Sequence, residues 1–341
     1  GKGTRMKSAL PKVLHRLAGR SLLQHVMDTA AQLGADRTIL VCGHGAEAVQ
    51  EQVGASGGVR VVRQEPQLGT GHAVLQAAPA LHDAGTTLIL NGDVPMIEAD
   101  TAAALVAACG GTKLALLTVE LSDPTGYGRI VRDPGQGDAV KAIVEHKDAS
   151  AAQRAIREVY TGMLAAPTAW LKRAVMSLKN DNAQREYYLT DIVAIAESER
   201  LAVLAVPAHD ETEVAGVNSA AQLAELERRV QRRQAEALME AHGVRFADPA
   251  RFDLRGTLAC GRDVFIDVGC VFEGDVVLGD EVTIGAHCVI RNARIDSGAL
   301  IQPFTHMTDA VVGPRAEVGP FARLRPGAQL GEQVHIGNFV E

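Results

Sequence analysis

Residues 312–337 read VGPRAEVGPFARLRPGAQLGEQVHIG, a stretch in which an aliphatic residue returns at every sixth position. These aliphatic positions are Val312, Val318, Leu324, Leu330 and Ile336. The same spacing runs from residue 266 to residue 290, and two phase slips separate the two runs. A fixed short period of this kind is typical of coiled stacks in which each repeat supplies one flat face and points its aliphatic side chain inward. The pattern therefore predicts a parallel β-helix.

The first two thirds of the chain alternate short apolar runs with helical patterns, which indicates βα units around a mainly parallel sheet. Residues 38–42 and 87–90 read as strands, and both run directly into glycine and polar residues. Ligands of open α/β sheets bind beside such carboxyl ends of strands. The sequence therefore predicts an α/β domain with a binding site along this edge.

A charged helical pattern joins the two parts. Ser219 and Gln222 have the spacing of a capping box, and arginines alternate with glutamates along the pattern. This alternation favours a solvated helix face over a basic patch. We therefore predict an α/β domain over residues 1–218, a linker helix over 219–242 and a β-helix over 243–341.

The composition argues against several classes of protein. A net charge of −7 over 341 residues gives no electrostatic reason to bind nucleic acid. No stretch approaches the ~18 uncharged apolar residues of a membrane span. The five cysteines form no CxxC pair, and their odd number disfavours a secreted disulfide framework. We expect a cytoplasmic protein that binds neither nucleic acid nor a membrane.

The N-terminal segment reads Gly1-Lys2-Gly3-Thr4-Arg5-Met6 and is followed by Leu10-Pro11-Lys12. Neighbouring glycines let backbone N–H groups approach phosphate oxygens, and Arg5 and Lys12 add two cations. By itself, this pattern leaves open both a phosphate-binding loop and a merely flexible terminus.

Several motifs carry a resemblance to sugar-1-phosphate nucleotidyltransferases. Residues 1–12 resemble the end of that family's N-terminal signature, and four further motifs follow in the family's order. They are QLGTGHA at 67–73, GDVP at 92–95, DPTGYGRI at 123–130 and IVEHKD at 143–148.

Together with the six-residue repeat, these motifs resemble the bifunctional family that combines UDP-N-acetylglucosamine pyrophosphorylase with glucosamine-1-phosphate N-acetyltransferase. The resemblance implies a Rossmann-like nucleotidyltransferase domain that lacks its first strand, a linker helix, and the N-terminal part of a left-handed β-helix. It also implies a bacterial role in supplying peptidoglycan and outer-envelope sugars.

The implied reaction of the first domain is uridylyl transfer from UTP to N-acetylglucosamine-1-phosphate, with pyrophosphate as the second product. The protein must offset the repulsion between two phosphorylated substrates and align the attacking oxygen with the departing group. The attacking phosphate is already an anion, so no general base is needed. Arg5 and Lys12 are the expected catalytic cations.

Mg²⁺ is the expected cofactor, because magnesium bound to phosphates needs only one or two protein oxygens. Asp93 follows a strand and is the natural carboxylate ligand, and the resemblance implies Asn218 of Gly216-Val217-Asn218 as the second ligand. The alternatives are a turn role for Asp93 and a helix-cap role for Asn218.

The resemblance also implies which residues hold the substrates. UTP would be bound by Gly1, Lys12, Gln64, Gln67, Gly69 and Thr70. N-Acetylglucosamine would be bound by Gly128, Glu145, Tyr188 and Thr190. A purely structural turn is the alternative for the two glycines of the 67–73 motif. Where many relatives read Asn-Thr-Gly, this chain has Tyr160-Thr161-Gly162, so a phenol replaces an amide.

For the second half, the resemblance implies an acetyltransferase that uses acetyl-CoA at the interface of a homotrimer. Arg325 matches a contact to the sugar phosphate, and Glu341 matches an acidic residue beside the catalytic histidine. The remaining residues of that site would lie beyond residue 341. We therefore expect no acetyltransferase activity from this polypeptide and weak or absent trimerisation.

Two other functions stay open at this point. A sugar-1-phosphate nucleotidyltransferase with a different nucleotide would share the phosphate loop and the metal-binding aspartate. A non-catalytic scaffold subunit would keep both folds, but such subunits typically lose the charged phosphate and metal groups. Arg5, Lys12, Asp93 and Asn218 are all present, which favours an enzyme.

Overall fold

The structure is a computed structural model that describes residues 4–53, 58–133, 135 and 139–341. The chain divides into two compact units. Unit 1 consists of the residues up to His15 together with Ser21–Ser219, and unit 2 consists of Arg16–Arg20 and Ala220–Glu341. The domain boundaries expected from the sequence stay a prediction.

Up to Ser219, ten strands and seven helices alternate along the described residues. The strands are β1 Arg16–Leu17, β2 Arg20–Ser21, β3 Thr38–Cys42, β4 Val59–Arg63, β5 Thr86–Ile89, β6 Leu114–Glu120, β7 Gly128–Asp133, β8 Ala139–Val144, β9 Glu158–Pro167 and β10 Val203–Pro207. The helices are α1 Leu22–Gln32, α2 Ala46–Val53, α3 Thr70–Ala77, α4 Ala99–Cys109, α5 Ala151–Arg154, α6 Thr168–Met176 and α7 Ile192–Ser198.

The main sheet of unit 1 has the order β10-β6-β9-β7-β8, and β5 also pairs with β9. Strands β5, β6 and β7 are each antiparallel to β9, and β10 is parallel to β6. Four strands therefore share one direction, while β8 and β9 run the opposite way. Strands β3 and β4 form a separate parallel pair. The expected Rossmann-like domain with mainly parallel sheets is confirmed, with β9 reversed inside it.

Helices cover both faces of this sheet, as the pattern of strand β6 shows. Leu114 and Leu116 pack with side chains of α6 and α7. The intervening Ala115 and Leu117 pack with side chains of α4 on the other face. Successive side chains of a strand point to opposite faces, so a strand covered on both sides must be apolar throughout. This requirement explains why LALLTV, the start of β6, lacks the polar alternation of an exposed strand.

Unit 2 contains one long helix and a stack of short strands. The helix is α8 Ala220–His242. The strands are β11 Arg245–Phe246, β12 Phe252–Cys260, β13 Phe265–Ile266, β14 Cys270–Leu278, β15 Thr283–Ile284, β16 Val289–Arg291, β17 Arg294–Ile295, β18 Leu300–Ile301, β19 His306–Thr308, β20 Val311–Val312, β21 Glu317–Val318, β22 Arg323–Leu324, β23 Gln329–Leu330 and β24 His335–Ile336.

Every strand pairing in this stack is parallel, and the aliphatic ladder is continuous through both phase slips. Ile295, Ile301 and Met307 fill the gap between the two runs of the repeat, and all three are fully buried. The two slips are faces that are one residue shorter, from Ile290 to Ile295 and from Met307 to Val312. A shortened turn leaves the inward residue in place. The parallel stack is as predicted, and its left-handed winding stays a prediction.

No helix in the described ranges is long and apolar enough to cross a membrane.

Candidate active site

The ammonium group of Lys12 lies between the two residues predicted to bind the metal. Its Nζ donates a hydrogen bond to Asn218 Oδ1 over 2.9 Å and forms a short ion pair with Asp93. The Lys12 and Asp93 side chains are only 15% and 25% exposed. Residues that are far apart in the sequence therefore meet at one partly buried cation.

Backbone hydrogen bonds hold this arrangement at the end of β5. The N–H of Val94 donates to the carbonyl of Asn91 over 3.1 Å and forms the turn that presents Asp93. The N–H of Val217 donates to the carbonyl of Asp93 over 2.9 Å, which places Asn218 beside it. Both valines are buried, so apolar packing supports these bonds. Burial raises the pKa of Tyr127, and the negative charge of Asp93 raises it further.

The oxygens of Asp93 and Asn218 suit a hard divalent cation. One carboxylate and one amide carbonyl are ligands that Mg²⁺ accepts, and Mg²⁺ completes its shell with water and substrate phosphate. The Lys12 ammonium already shows that a cation is accommodated between these two oxygens. In the described residues, no group of three or more His, Cys, Asp or Glu side chains could hold a metal. A metal here would therefore take its other ligands from water or substrate.

The predicted uridine loop is tied to the segment that follows residue 186. The N–H of Gly71 donates to the carbonyl of Tyr187, and the N–H of Tyr187 donates to the carbonyl of Leu68, both over 2.8 Å. The N–H of Leu189 donates to Thr70 Oγ1 over 3.1 Å. Gly69 has a φ of +103°, and a Cβ there would lie 2.7 Å from the Tyr187 carbonyl oxygen. The structure of the loop thus explains why glycine stands at position 69 and threonine at position 70. Their contact with UTP stays a prediction.

The two predicted glutamines flank this loop. Gln64 Nε2 donates to the carbonyl of Gly69 over 2.9 Å and lies 3.2 Å from His72 Nδ1. The side chain of Gln67 covers Gly43, which directly follows β3, so closely that a Cβ at position 43 would overlap it. Amide groups therefore line the end of β3, where they could pair with the polar edge of a pyrimidine.

Three of the predicted sugar contacts meet where β7 begins and β8 ends. Thr190 Oγ1 donates a hydrogen bond to Glu145 Oε1 over 3.1 Å. A Cβ at Gly128 would lie 3.7 Å from the same carboxylate oxygen and 2.8 Å from Ile143 Cγ2. The close contact with Ile143 explains the glycine at position 128.

The fourth predicted contact, Tyr188, closes one side of this group. Its hydroxyl accepts a hydrogen bond from Gln184 Nε2 over 2.9 Å, and Gln184 Oε1 accepts one from Lys147 Nζ over 2.7 Å. Burial raises the pKa of Tyr188, and the charge of Glu145 adds to this effect.

The surroundings of Glu145 are strongly acidic. Burial raises the pKa of its carboxyl group, the hydrogen bond from Thr190 lowers it, and the charges of Asp191, Asp148 and Glu186 raise it further. An anion would be repelled here, whereas neutral hydroxyl groups could donate hydrogen bonds. This part of the site therefore suits the hydroxyl groups of a sugar better than a phosphate.

The remaining predicted residues lie elsewhere. Gly1 lies outside the described residues. Arg5 is exposed in the short 3₁₀ turn Thr4–Met6, and it makes no hydrogen bond or ion pair with the residues that the structure describes. In unit 2, Arg325 Nη2 lies 2.6 Å from Glu341 Oε1, and Arg323 also donates to that oxygen over 3.0 Å. These contacts hold the pKa of Glu341 below its usual value.

Sequence reasoning missed the role of Arg129. It is 1% exposed, donates to the carbonyl of Tyr127, and lies 3.2 Å from His146 Nδ1 through Nη2. It thereby joins the loop before β7 to the loop after β8, which carries Glu145. The signal was its position inside the DPTGYGRI motif, but the sequence could not show that this arginine is buried with carbonyl and imidazole partners.

Comparisons with known proteins show the family of this chain. Residues 1–246 match the MobA-like NTP transferase domain, and residues 254–340 match the GMPPB C-terminal domain. The chain is 70% identical to the bifunctional protein GlmU of Methylibium petroleiphilum, covering 100% of this chain and 75% of that protein. It is 60% identical to the bifunctional protein GlmU of Albidiferax ferrireducens, covering 100% and 76%.

A solved structure of UDP-glucose pyrophosphorylase complexed with UDP-glucose is similar in fold. The TM-score is 0.54 at 15% sequence identity, and the similarity covers 68% of this chain and 96% of that chain. At this identity the likeness concerns the fold alone.

Proposed function

We propose that this chain, which belongs to the family of the bifunctional protein GlmU, transfers the uridylyl group of UTP to N-acetylglucosamine-1-phosphate. The products are UDP-N-acetylglucosamine and pyrophosphate, so the enzyme is a UDP-N-acetylglucosamine diphosphorylase that serves peptidoglycan synthesis. The observation that carries this proposal is the separation of charge in the site. Lys12 lies on the side that would take phosphates, and Glu145 lies on the side that would take sugar hydroxyls.

The chemistry needs no protein base. A phosphate oxygen of the sugar phosphate attacks the α-phosphorus of UTP, a new P–O bond forms, and the bond to the bridging oxygen of pyrophosphate breaks. Negative charge builds on the departing group in this step, so nearby cations lower the barrier. Lys12 and the exposed Arg5 are the cations that we assign to this task.

The family generally uses a divalent metal, and we assign Mg²⁺ to Asp93 and Asn218. When bound, the metal supplies positive charge to the phosphate oxygens of UTP. The same two oxygens now contact the Lys12 ammonium, so Lys12 would turn from them towards phosphate in the loaded enzyme.

The substrate contacts complete the proposal. Gln64, Gln67, Gly69 and Thr70 would hold the uracil, and Gly128, Glu145, Tyr188 and Thr190 would hold the N-acetylglucosamine. Gly1, outside the described residues, is proposed as a further contact to UTP.

The family is bifunctional, and its second activity is acetyl transfer from acetyl-CoA to glucosamine-1-phosphate. Arg325 and Glu341 are proposed to belong to that site, and the parallel stack that carries them is proposed to be a left-handed β-helix. A homotrimer, expected from the resemblance, stays a prediction.

Pyrophosphate release tests the first activity. The chain is incubated with UTP, N-acetylglucosamine-1-phosphate and Mg²⁺, beside the variants Asp93→Asn and Asp83→Asn. Asp93→Asn should lower the rate by about a hundredfold or more, because it weakens binding of the metal whose positive charge would stabilise the transition state. The Asp83 side chain is 96% exposed and pairs with Lys172, so its variant is the matched control.

Equal rates for the two variants would contradict the role of Asp93. Faster turnover with another nucleoside triphosphate or another sugar phosphate would favour a different nucleotidyltransferase. No turnover with any of these substrates by the folded protein would support the scaffold alternative.

A further inference from the structure

The phenol of Tyr160 is buried without a hydrogen-bond partner. The residue is 7% exposed, and its hydroxyl oxygen has neither solvent access nor a partner in the described residues. Buried hydroxyl groups in folded proteins almost always have a partner, because an unsatisfied donor costs free energy. Such an exception in a functional site points to a partner that is engaged only in another state.

The candidate partner is Glu145, whose charge acts on Tyr160. Tyr160 in β9 is paired with Gly128 in β7, and a Cβ at Gly128 would lie 3.7 Å from Glu145 Oε1. Burial raises the pKa of Tyr160, and the negative charge of Glu145 raises it further. One oxygen of Glu145 accepts the bond from Thr190, and the other accepts no bond from the described residues. The buried Tyr160 hydroxyl therefore lies on a strand pair that also carries Gly128, next to a carboxylate with one oxygen free of protein hydrogen bonds among the described residues.

We propose that Tyr160 is a positioning residue that donates a hydrogen bond to the second carboxylate oxygen of Glu145 when the sugar phosphate is bound. With Thr190 on one oxygen and Tyr160 on the other, the carboxylate is fixed in the orientation that accepts the sugar hydroxyls. This inference rests on the proposed function, since the sugar is the ligand that Glu145 would hold.

Direct contact between Tyr160 and the sugar fits the structure less well. The phenol oxygen has no accessible surface, whereas the Glu145 side chain is only partly buried and can be reached from the site. The residue at position 160 therefore acts on the ligand through Glu145, and the phenol does not simply replace the amide found in many relatives.

The bond would also affect the ionisation of Glu145. Burial and the charges of Asp191, Asp148 and Glu186 raise its pKa, and the hydrogen bonds from Thr190 and Tyr160 favour the charged form. Without the phenol, the pKa of Glu145 should rise further. The acid limb of kcat/KM for the sugar phosphate should then move to higher pH.

The test compares Tyr160→Phe, Tyr160→Asn, Glu145→Gln and the double variant Tyr160→Phe/Glu145→Gln in steady-state kinetics across pH. Tyr160→Phe should raise KM for N-acetylglucosamine-1-phosphate about tenfold, as expected for a hydrogen bond to a charged group, with KM for UTP unchanged. In the Glu145→Gln background, Tyr160→Phe should have no further effect, because the interaction is already lost. Thermal unfolding of each variant shows whether it is folded.

Three results would overturn the inference: an unchanged KM and acid limb in Tyr160→Phe, additive effects in the double variant, or a lower KM in Tyr160→Asn, which would indicate direct sugar contact. A wild-type protein without turnover on any sugar phosphate contradicts the proposed function instead. The two failures are therefore distinguishable.

Discussion

Single residues divide this site by charge. Lys12 joins the Asp93 and Asn218 oxygens on one side, and Glu145 sits among further carboxylates on the other. In the proposed function, this division would orient a ligand with phosphates at one end and hydroxyl groups at the other. Neither side needs a nucleophile or a base, in keeping with a reaction whose attacking group is already an anion.

Gly69 is the residue whose conformation the loop depends on most directly. Alanine at this position would be strained at φ +103° and would place its Cβ 2.7 Å from the Tyr187 carbonyl oxygen. We expect Gly69→Ala to destabilise unit 1 by about 1–3 kcal/mol and to raise KM for UTP roughly tenfold, since small displacements of a positioning loop are costly.

Gly85 offers a matched control for this substitution. It also has a positive φ, of +89°, but nothing lies within 4 Å of its Cβ position. Gly85→Ala should share the loss in unfolding free energy without the rise in KM. Equal KM values for UTP in the two variants would show that the loop at Gly69 does not bind the nucleotide.

At the scale of elements, the stack of unit 2 depends on which side chain of each short strand points inward. Ile301 is fully buried, whereas its neighbour Leu300 is partly exposed on the outer side. Ile301→Ala should lower the free energy of unfolding by about 2–5 kcal/mol, because it removes buried methyl groups and leaves a cavity. Leu300→Ala, measured in the same denaturant titration, should cost clearly less. A larger loss for Leu300→Ala than for Ile301→Ala would show that Leu300, and not Ile301, points inward.

Local periodicity explains why this stack could be predicted from sequence. Within each run of the repeat an inward residue lies six positions from the next, and the sequence also shows the two phase slips between the runs. The structure adds that each slip is a face shortened by one residue, with Ile295 and Met307 keeping the ladder intact. In the aliphatic pattern, a shortened turn is visible only as a spacing of five residues instead of six.

The reversed strand β9 could not be predicted in the same way. Its residues are apolar on both faces, as they are in β6, and strand direction is set by pairings with distant segments. The contact between the 67–71 loop and Tyr187 is equally non-local. Motifs therefore named Glu145 and Thr190 as sugar contacts, but only the fold shows that their side chains are hydrogen-bonded and that Tyr160 is paired with Gly128 beside them.

At the scale of the whole molecule, each unit has apolar cores of its own. One cluster of buried side chains runs through unit 2 from Ala235 to Leu324, and three other clusters lie in unit 1. Compact units with separate cores can unfold in separate steps, and a single transition is then not assured. The proposed uridylyl site consists entirely of unit 1 residues.

Heat inactivation of uridylyl transfer should therefore follow the stability of unit 1. Leu116 is fully buried in the main sheet of unit 1, and Leu116→Ala should lower the temperature at which activity is lost. Ile301→Ala, a comparable truncation in unit 2, should shift a calorimetric transition while leaving the inactivation temperature nearly unchanged. If both variants lower the inactivation temperature equally, the two units unfold cooperatively, and the activity depends on the integrity of the whole chain.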